Sequence, residues 1–538
     1  MKNLKFSLLL LLIFSANSGA LVRYVFPELS LDDSTVVVSF KTDAPVTRPN
    51  VYYDRFDNDG PYGDYLYNLY FRKDTSDTFF SFRLKNIEPG VLYRYVVTVN
   101  NERNLTIPSR EKYFRVIRDK KGNLRFGLAY DVLPFVGYKG DGVVSIRWVL
   151  TREADEAFVI VYDGDRPIAH VGSVEKTKEF EYDIHELPHN KRLFYRVYSI
   201  CGDDTLTSSG WFSTLKDPGH EFSFVFMGDS RSNWRWPNSV DHTNYIAVTT
   251  LNLLARILGR YEHDFVIFSG DLIGGGTTDT TQALEQYLTW LSAVWQDNRN
   301  AFYFNVVGNH DATAPNRRLP NGDYVPLEPP YSSECYWARM FVLPENGPEA
   351  PKGMAPYREN TYSFDWGDVH FVVLNDDYGY YRKNKHRRPA ALTPEQWDWL
   401  INDLKANQGK WIIVAYHEPT FSPLGRQDFD STQIDSLWRV FDRYGVTAVI
   451  NGHEHIYARL DVDSTLVPGM KNVIPQFISG RAGAPKYRTN RKLAFESHVR
   501  AIDNSRHFVL VHASRDSLVF QAIDFDGKVI DRWVAKKR

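Results

Sequence analysis

The chain has 538 residues, 43% hydrophobic and 24% charged, with 64 Lys+Arg against 66 Asp+Glu and a formal net charge of −2. That length exceeds one typical domain and predicts about two to four, each able to bury a core. The near-neutral balance, with no long basic run, excludes a global electrostatic footprint for nucleic acid or an anionic membrane surface.

At the N-terminus, Lys2 and Lys5 precede an apolar run over 6–14, and Ser18 and Ala20 are small residues spaced for signal peptidase. This predicts a secretory signal over 1–20, cleaved after Ala20, and a secreted or periplasmic mature chain with no membrane span. Later segments never approach about 18 continuous apolar residues. Cys201 and Cys335 are the two cysteines. A zinc site built from cysteines alone is excluded by count, while one disulfide or two free thiols both fit an exported chain. Asn104-Leu105-Thr106 is a glycosylation sequon, relevant in a eukaryotic secretory pathway.

Residues 21–122 show short alternating apolar runs, such as Thr35-Val36-Val37-Val38-Ser39-Phe40 and Tyr93-Arg94-Tyr95-Val96-Val97, separated by Gly, Pro and Asp. The rhythm repeats over 123–217, with Val143-Val144-Ser145-Ile146-Arg147-Trp148 and Phe158-Val159-Ile160-Val161-Tyr162. Both predict β-sandwich domains. A weak echo links LKNIEPGVLYRYVV at 84–97 with LPHNKRLFYRVYSI at 187–200: each places Leu, a turn, then Tyr-Arg before a strand. It resembles the end of a fibronectin type III or immunoglobulin-like sandwich, where a tyrosine packs at the strand corner.

From 218 to 538 strands alternate with longer helical segments, which predicts a layered α/β domain. Thr393 followed by Pro394 reads as a cap and first turn opening a helix near 393–407. Over 431–444, Ile434, Leu437, Trp438 and Phe441 follow amphipathic spacing, and Gly445 ends the run.

Five apolar strands of this region end in Asp, Asn or His. Asp229 follows 222–227, Asp271 follows 265–269, Asn309, His310 and Asp311 follow 301–307, and His417 follows 411–416. In VINGHEHIYA at 449–458, His453 and His455 follow the last run. Ligands of layered α/β sheets gather beyond the carboxyl ends of the strands, so these distant residues are expected to converge. Imidazole favours zinc, iron, manganese or nickel, carboxylate and amide oxygens admit harder ions, and a shared carboxylate can bridge two ions. Gly228, Gly270, Gly308 and Gly452 each precede a candidate, where the backbone must turn sharply.

The ordered series GD…GD…GNHD…H…GHEH resembles the signature of calcineurin-like metallophosphoesterases, and the leading sandwich makes the purple acid phosphatase branch the nearest likeness. FISGRAGAP at 477–485 and the closing segment 506–531 look like the last strands of that branch. The resemblance implies a four-layer α/β/β/α sandwich behind two β-sandwiches, holding two divalent metal ions (Zn, Fe or Mn). Asp271 matches the bridging carboxylate, Asn309, His417 and His453 the ligands of one ion, and Asp229 and His455 those of the other. His310 matches the histidine at the substrate or leaving group, with Asp311 beside it to tune it.

Two positions depart from the pattern. Purple acid phosphatases carry an iron-binding Tyr three residues after the bridging Asp, where this chain has Gly274. Other members carry His two residues after the first Asp, where this chain has Arg231. A guanidinium stays protonated and cannot ligate, so Arg231 is expected to bind substrate phosphate.

The expected function is an exported, metal-dependent phosphatase that hydrolyses phosphate monoesters of small molecules with a metal-activated water. A phosphodiesterase or nucleotide-cleaving hydrolase on the same scaffold, and a non-catalytic glycan- or surface-binding protein, are the alternatives. No nucleic-acid partner is expected beyond a nucleotide substrate. Pocket walls are expected from loops 231–245, 312–360 and 376–392.

Overall fold

The computed structural model describes residues 25–537 apart from 33–34, 57–66, 71–75, 102–103, 105, 233–242, 320–323, 380–381, 384–385 and 490–491. The signal segment and the middle of the sequon lie outside the described residues. Among the described residues, no helix is long and apolar enough to cross a membrane.

The first structural unit is all antiparallel. Its long strand Thr35–Arg55 pairs with Glu28–Asp32 and Asp77–Arg83 through its first half, then with Tyr67–Tyr70 and Leu92–Asn100 through its second. The register shifts between Lys41 and Val46 and between Thr47 and Asn50, letting one strand serve two sheet faces. Val36, Val38, Phe40, Val97 and Phe114 fill the core between them. At the turn before Leu92–Asn100, Tyr93 Oη donates to the Asn86 carbonyl at 3.2 Å and accepts from Glu88 N at 3.0 Å, closing the corner on itself.

A two-sheet sandwich follows. One sheet runs Thr177–Ile184, Val143–Ala154, Tyr130–Gly140; the other runs Arg166–Ser173, Glu156–Asp163, Arg192–Cys201, Asp204–Ser213. Trp148 is fully buried between them and donates Nε1–H to Ser199 Oγ at 3.0 Å. Tyr195 stands where Tyr93 stood in the sequence echo, but its hydroxyl leaves its own unit and donates to the Arg299 carbonyl at 2.8 Å. Tyr138 of this sandwich packs against Phe302, Phe304 and Trp366, so its core runs on without a break into the region beyond 220. The two cysteines are free thiols, Cys201 at a sandwich strand end and Cys335 on the helix Ser333–Met340.

The remaining chain forms four layers. A six-stranded sheet has the order Phe302–Asn305, Phe265–Phe268, Phe222–Met227, His507–Ala513, Ser517–Asp524, Val529–Lys536, its first three strands parallel. A seven-stranded sheet has the order Tyr362–Trp366, Val369–Val373, Trp411–Ala415, Ala448–Asn451, Ile474–Ser479, Tyr457–Val462, Val499–Asp503. The sheets meet through aromatic pairs, among them Phe224–Phe371 at 5.1 Å, Phe226–Phe477 at 5.8 Å and Phe304–Phe364 at 3.7 Å. Alternate residues of the second sheet, Val372, Ile412, Val414 and Val449, face the other way and join the core of the outer helices. Those helices are the two read from sequence. Pro394–Ala406 is capped by Thr393 accepting from Gln396 N, and Ser431–Tyr444 buries Ile434, Leu437, Trp438 and Phe441 before Gly445 stops it at φ 79°. Helices Val248–Leu258 and Thr280–Asn298 pack against each other beside the first sheet. All parallel strands of both sheets point their carboxyl ends to one edge, which places the loops after 227, 268, 305, 415 and 451 together.

Two tests follow from this packing. Tyr195→Phe removes the bond to Arg299 and is expected to cost about 1 kcal/mol, lowering the calorimetric melting midpoint by about 1 °C; an unchanged midpoint would show that the junction gains nothing from it. His370 is braced by Asp365 at 2.8 Å and Asp403 at 2.7 Å. Burial opposes its protonation, but those two acids outweigh it and raise its pKa above the ordinary 6.5. The folded state therefore holds the proton more tightly, a stabilisation fully present below 6.5 and lost as pH rises through the raised value. The difference in melting midpoint between wild type and His370→Gln should shrink as pH is raised across that window.

Candidate metal centre

Sharp turns place the ligand-type residues. Asp229, Asp271 and His453 are non-glycine residues at φ 59°, 52° and 67°. Neighbouring loops interlock to hold them there: Asp229 N donates to the Gly270 carbonyl at 2.9 Å, Ser230 N to the Asp271 carbonyl at 3.1 Å, and Gly483 and Ala484 N to the Asp229 carbonyl at 3.0 and 2.8 Å. Close approach explains two of the glycines. A Cβ on Gly308 would run into the Asp271 backbone nitrogen, and one on Gly452 into the Ser269 carbonyl.

The predicted residues do converge. Donor atoms of Asp229, Asp271 and His455 all lie within 4.8 Å of one another, and all three residues are buried. Asp271 Oδ1 accepts from His310 N at 2.9 Å and lies 3.2 Å from His417 Nε2. The His417 and His453 rings are 5.2 Å apart, and His453 Nδ1 meets Asn309 Oδ1 at 3.0 Å. Arg231 Nε donates to Asp271 Oδ2 at 3.0 Å.

Backbone carbonyls fix the imidazoles. Nδ1 of His417 lies 2.8 Å from the Ser269 carbonyl, Nδ1 of His455 2.7 Å from the Pro485 carbonyl, and Nδ1 of His310 2.6 Å from the Gly274 carbonyl. An acceptor at Nδ1 makes that nitrogen the donor, so Nε2 is the edge each ring presents. His417 Nε2, His455 Nε2 and Asp229 Oδ1 are buried and, among the described residues, have no hydrogen-bond partner; the 3.2 Å approach of His417 to Asp271 lacks hydrogen-bond geometry. Three buried lone-pair atoms without hydrogen bonds round one carboxylate are costly unless a cation satisfies them. The residues therefore fit divalent metal, in a nitrogen and oxygen set that suits Zn, Fe or Mn.

The charges are strongly coupled. Burial opposes ionisation of Asp271, but His417, His310 and Arg231 hold its carboxyl well below the usual range. Asp229 goes the other way, pushed up by burial and by the Asp271 charge. His417, despite burial, is raised to about 10 by Asp271 and Asp229. His310 is lowered to about 4 by burial and the Arg231 charge.

Asp311 differs from expectation. The ring of His310 is held by Gly274, not by Asp311, because the chain turns through the 3-10 segment Asp311–Thr313. The Asp311 carboxylate instead accepts from Gly308 N at 2.9 Å and from Leu272 and Ile273 N at 3.3 Å each, tying two site loops together. Burial and the Asp271 charge raise it to about 8.

Several supporting groups were missed in the sequence. Asp376 accepts from His417 N at 3.1 Å and Glu418 N at 2.8 Å. Its signal was present: the apolar strand Val369–Val373 is also followed by an amide and two acids, Asn375-Asp376-Asp377, but without a preceding glycine. Asp428 meets His453 Nε2 at 2.9 Å, and Tyr487 stacks on His455 at 4.2 Å. Arg426 joins them, donating to Asp428 Oδ2 and to Tyr487 Oη at 3.0 Å each. Nothing local in the sequence marks that trio.

Of the expected pocket walls, 312–360 and 376–392 come together. Asn316–Arg318, Tyr324–Pro326, Arg382–Lys383 and His386–Arg387 pair into one small sheet. Most of the 231–245 loop, and the side chains of the basic run over 381–387, lie outside the described residues.

Known proteins agree with this arrangement. Residues 222–457 match the family model of calcineurin-like phosphoesterases. An uncharacterised Mycobacterium tuberculosis protein is 28% identical over 289 residues, 49% of this chain and 47% of its own length. Purple acid phosphatase 15 of Arabidopsis thaliana is 28% identical over 130 residues, 23% of this chain and 21% of that protein. The chain thus spans about half or less of the curated relatives it matches. The solved structure of a purple acid phosphatase from yellow lupin (Lupinus luteus) seeds shares the fold, with a TM-score of 0.58 at 16% identity, covering 93% of this chain and 93% of that one. With its antiparallel sheets in front and its Asp/His centre at the strand ends, this chain carries a calcineurin-like phosphoesterase region over 222–457 and is similar in fold to the purple acid phosphatases.

Proposed function

We propose that this protein is an exported, metal-dependent phosphatase that hydrolyses monoesters of phosphorylated small molecules. The observation that carries the reading is the set of buried ligand atoms without a hydrogen bond, Asp229 Oδ1, His417 Nε2 and His455 Nε2, beside Asp271. Asp271, Asn309, His417 and His453 would hold one divalent ion, and Asp229, His455 and Asp271 the other. Bound there, such ions acidify a water and neutralise phosphate oxygens as charge builds on them. Export rests on the N-terminal segment 1–20.

The chain's own groups supply the rest. Arg231, placed beside Asp271, offers guanidinium N–H groups to phosphate oxygens as a two-pronged donor. That added positive charge favours a dianionic monoester over a monoanionic diester. His310, with Nδ1 engaged by Gly274, keeps Nε2 for the leaving oxygen, to which it would donate a proton when the ring is protonated. Asp311 and Asp376 contribute by holding backbone, which keeps the loops of Asp271, Asn309 and His417 in register. No covalent enzyme intermediate is required.

Metal analysis beside a phosphate-release screen over sugar phosphates, nucleotides, inositol phosphates and diesters tests the proposal. Monoester turnover that stops on chelation is expected; faster turnover of diesters would overturn the monoester assignment, and metal-independent glycan binding without turnover would overturn catalysis. Losing a partner that merely orients a ligand costs about 10–100-fold, so His417→Ala is expected to lower kcat/KM by more than about 100-fold while melting stays cooperative. Near wild-type activity with full metal content would show that His417 is not a ligand.

A further inference from the structure

The two halves of the centre are unequal. One half offers Asn309, His417 and His453 together with Asp271 Oδ1. The other offers Asp229 and His455 with Asp271, whose Oδ2 is already held by Arg231 Nε at 3.0 Å. The arginine is not a loose surface chain. Its side chain is only 16% exposed, and its partner carboxylate 1%. Its backbone is pinned on both sides: Ser230 N donates to the Asp271 carbonyl at 3.1 Å, Ser232 N to the Tyr245 carbonyl at 2.6 Å, and Arg231 itself bridges to Ile246. The guanidinium is therefore built into the half of the centre that is poorest in ligands.

We propose that Arg231 is a resident cation of this centre. It occupies the Asp271 oxygen that the Asp229–His455 half needs, so that half takes a metal ion only by displacing the arginine. The chain then binds one ion tightly, on Asn309, His417, His453 and Asp271, and a second one weakly. A guanidinium stays charged at any working pH and cannot act as a ligand. Held a few ångströms from a divalent ion in a buried site, it repels that ion strongly. It can nevertheless do part of what a second ion does, since it neutralises the shared carboxylate and leaves its remaining N–H groups for an anion. This inference rests on the metal-centre reading of the preceding section.

The test is calorimetric titration of the chelator-stripped full chain with Zn²⁺, with zinc content measured after desalting. Wild type should retain about one equivalent and bind a second about 100-fold more weakly, the scale on which groups beside a ligand alter metal affinity. Arg231→Gln removes the charge and adds no imidazole; its second binding step should tighten about tenfold or more. Arg231→His adds an imidazole two residues after Asp229 and should retain about two equivalents. Two equally tight equivalents on wild type overturn the proposal. So does a second step in Arg231→Gln as weak as that of wild type, or a single retained equivalent in Arg231→His. If none of the three proteins, each folded by circular dichroism, binds zinc, the metal-centre reading itself falls and this inference falls with it.

Discussion

A single buried carboxylate has to satisfy three partners at once. Asp271 takes a backbone N–H from His310 and the guanidinium of Arg231, and stands against the imidazole of His417, all within about 3 Å. No one loop can supply that. Its partners come from the ends of three further strands, and the backbone of Asp271 must sit in a left-handed turn to present both oxygens. The parallel arrangement of the central strands meets this demand because every carboxyl end reaches the same edge. Most of the surrounding architecture can be understood as holding the loops round Asp271 in register. Asp311 clamps the backbone on both sides, and Asp376 clamps the turn of His417.

Support for this point extends far beyond the metal centre, and much of it passes through one helix. Thr280–Asn298 carries Gln286, whose amide bonds both backbone groups of Gly275, and Trp290, whose Nε1–H reaches Ser230 Oγ at 3.1 Å. One residue before Gln286, Glu285 accepts from Arg110 of the N-terminal unit at 3.1 Å. Further along, Trp295 and Asn298 bond the carbonyls of Pro134 and Val136 in the sandwich. A single rigid element thus touches both β units and both loops that flank Arg231 and Asp271. The Arg110–Glu285 pair is largely buried, so losing one partner leaves an uncompensated charge, at a cost of about 3–5 kcal/mol. Arg110 and Arg115, with Asp131, Glu285 and Asp204, make the first sheet part of the same folded body.

Much of this was readable from the chain because the signals were local. Strand-end acids and histidines followed apolar runs, Thr393-Pro394 marked a helix start, and Gly445 marked a helix end. Tyr93 and Tyr195 show where local reading stops. The same short motif closes its own corner in one copy and docks onto Arg299 in the other, and only the neighbour decides which. Asp311 is a similar case: adjacency suggested a link to His310, but one tight turn sends its carboxylate elsewhere. The carbonyls of Ser269, Gly274 and Pro485 that orient three imidazoles were beyond reach, since any residue can supply a carbonyl. Arg231 was visible as an anomaly, while its contact with Asp271 became apparent only in three dimensions.

The left-handed turns at Asp229, Asp271 and His453 have an evolutionary corollary. Glycine adopts that conformation freely, whereas other residues pay on the order of 1–2 kcal/mol for it. At these three positions robustness and chemistry therefore pull in opposite directions. A descendant freed from any need for its centre would gain stability by drifting to glycine there, with the scaffold otherwise intact. A lineage that had only exchanged one metal for another would keep its acids and imidazole and change the residues around them. Glycine at the counterparts of 229, 271 and 453 is thus a physical mark by which a decayed homologue can be told from a repurposed one.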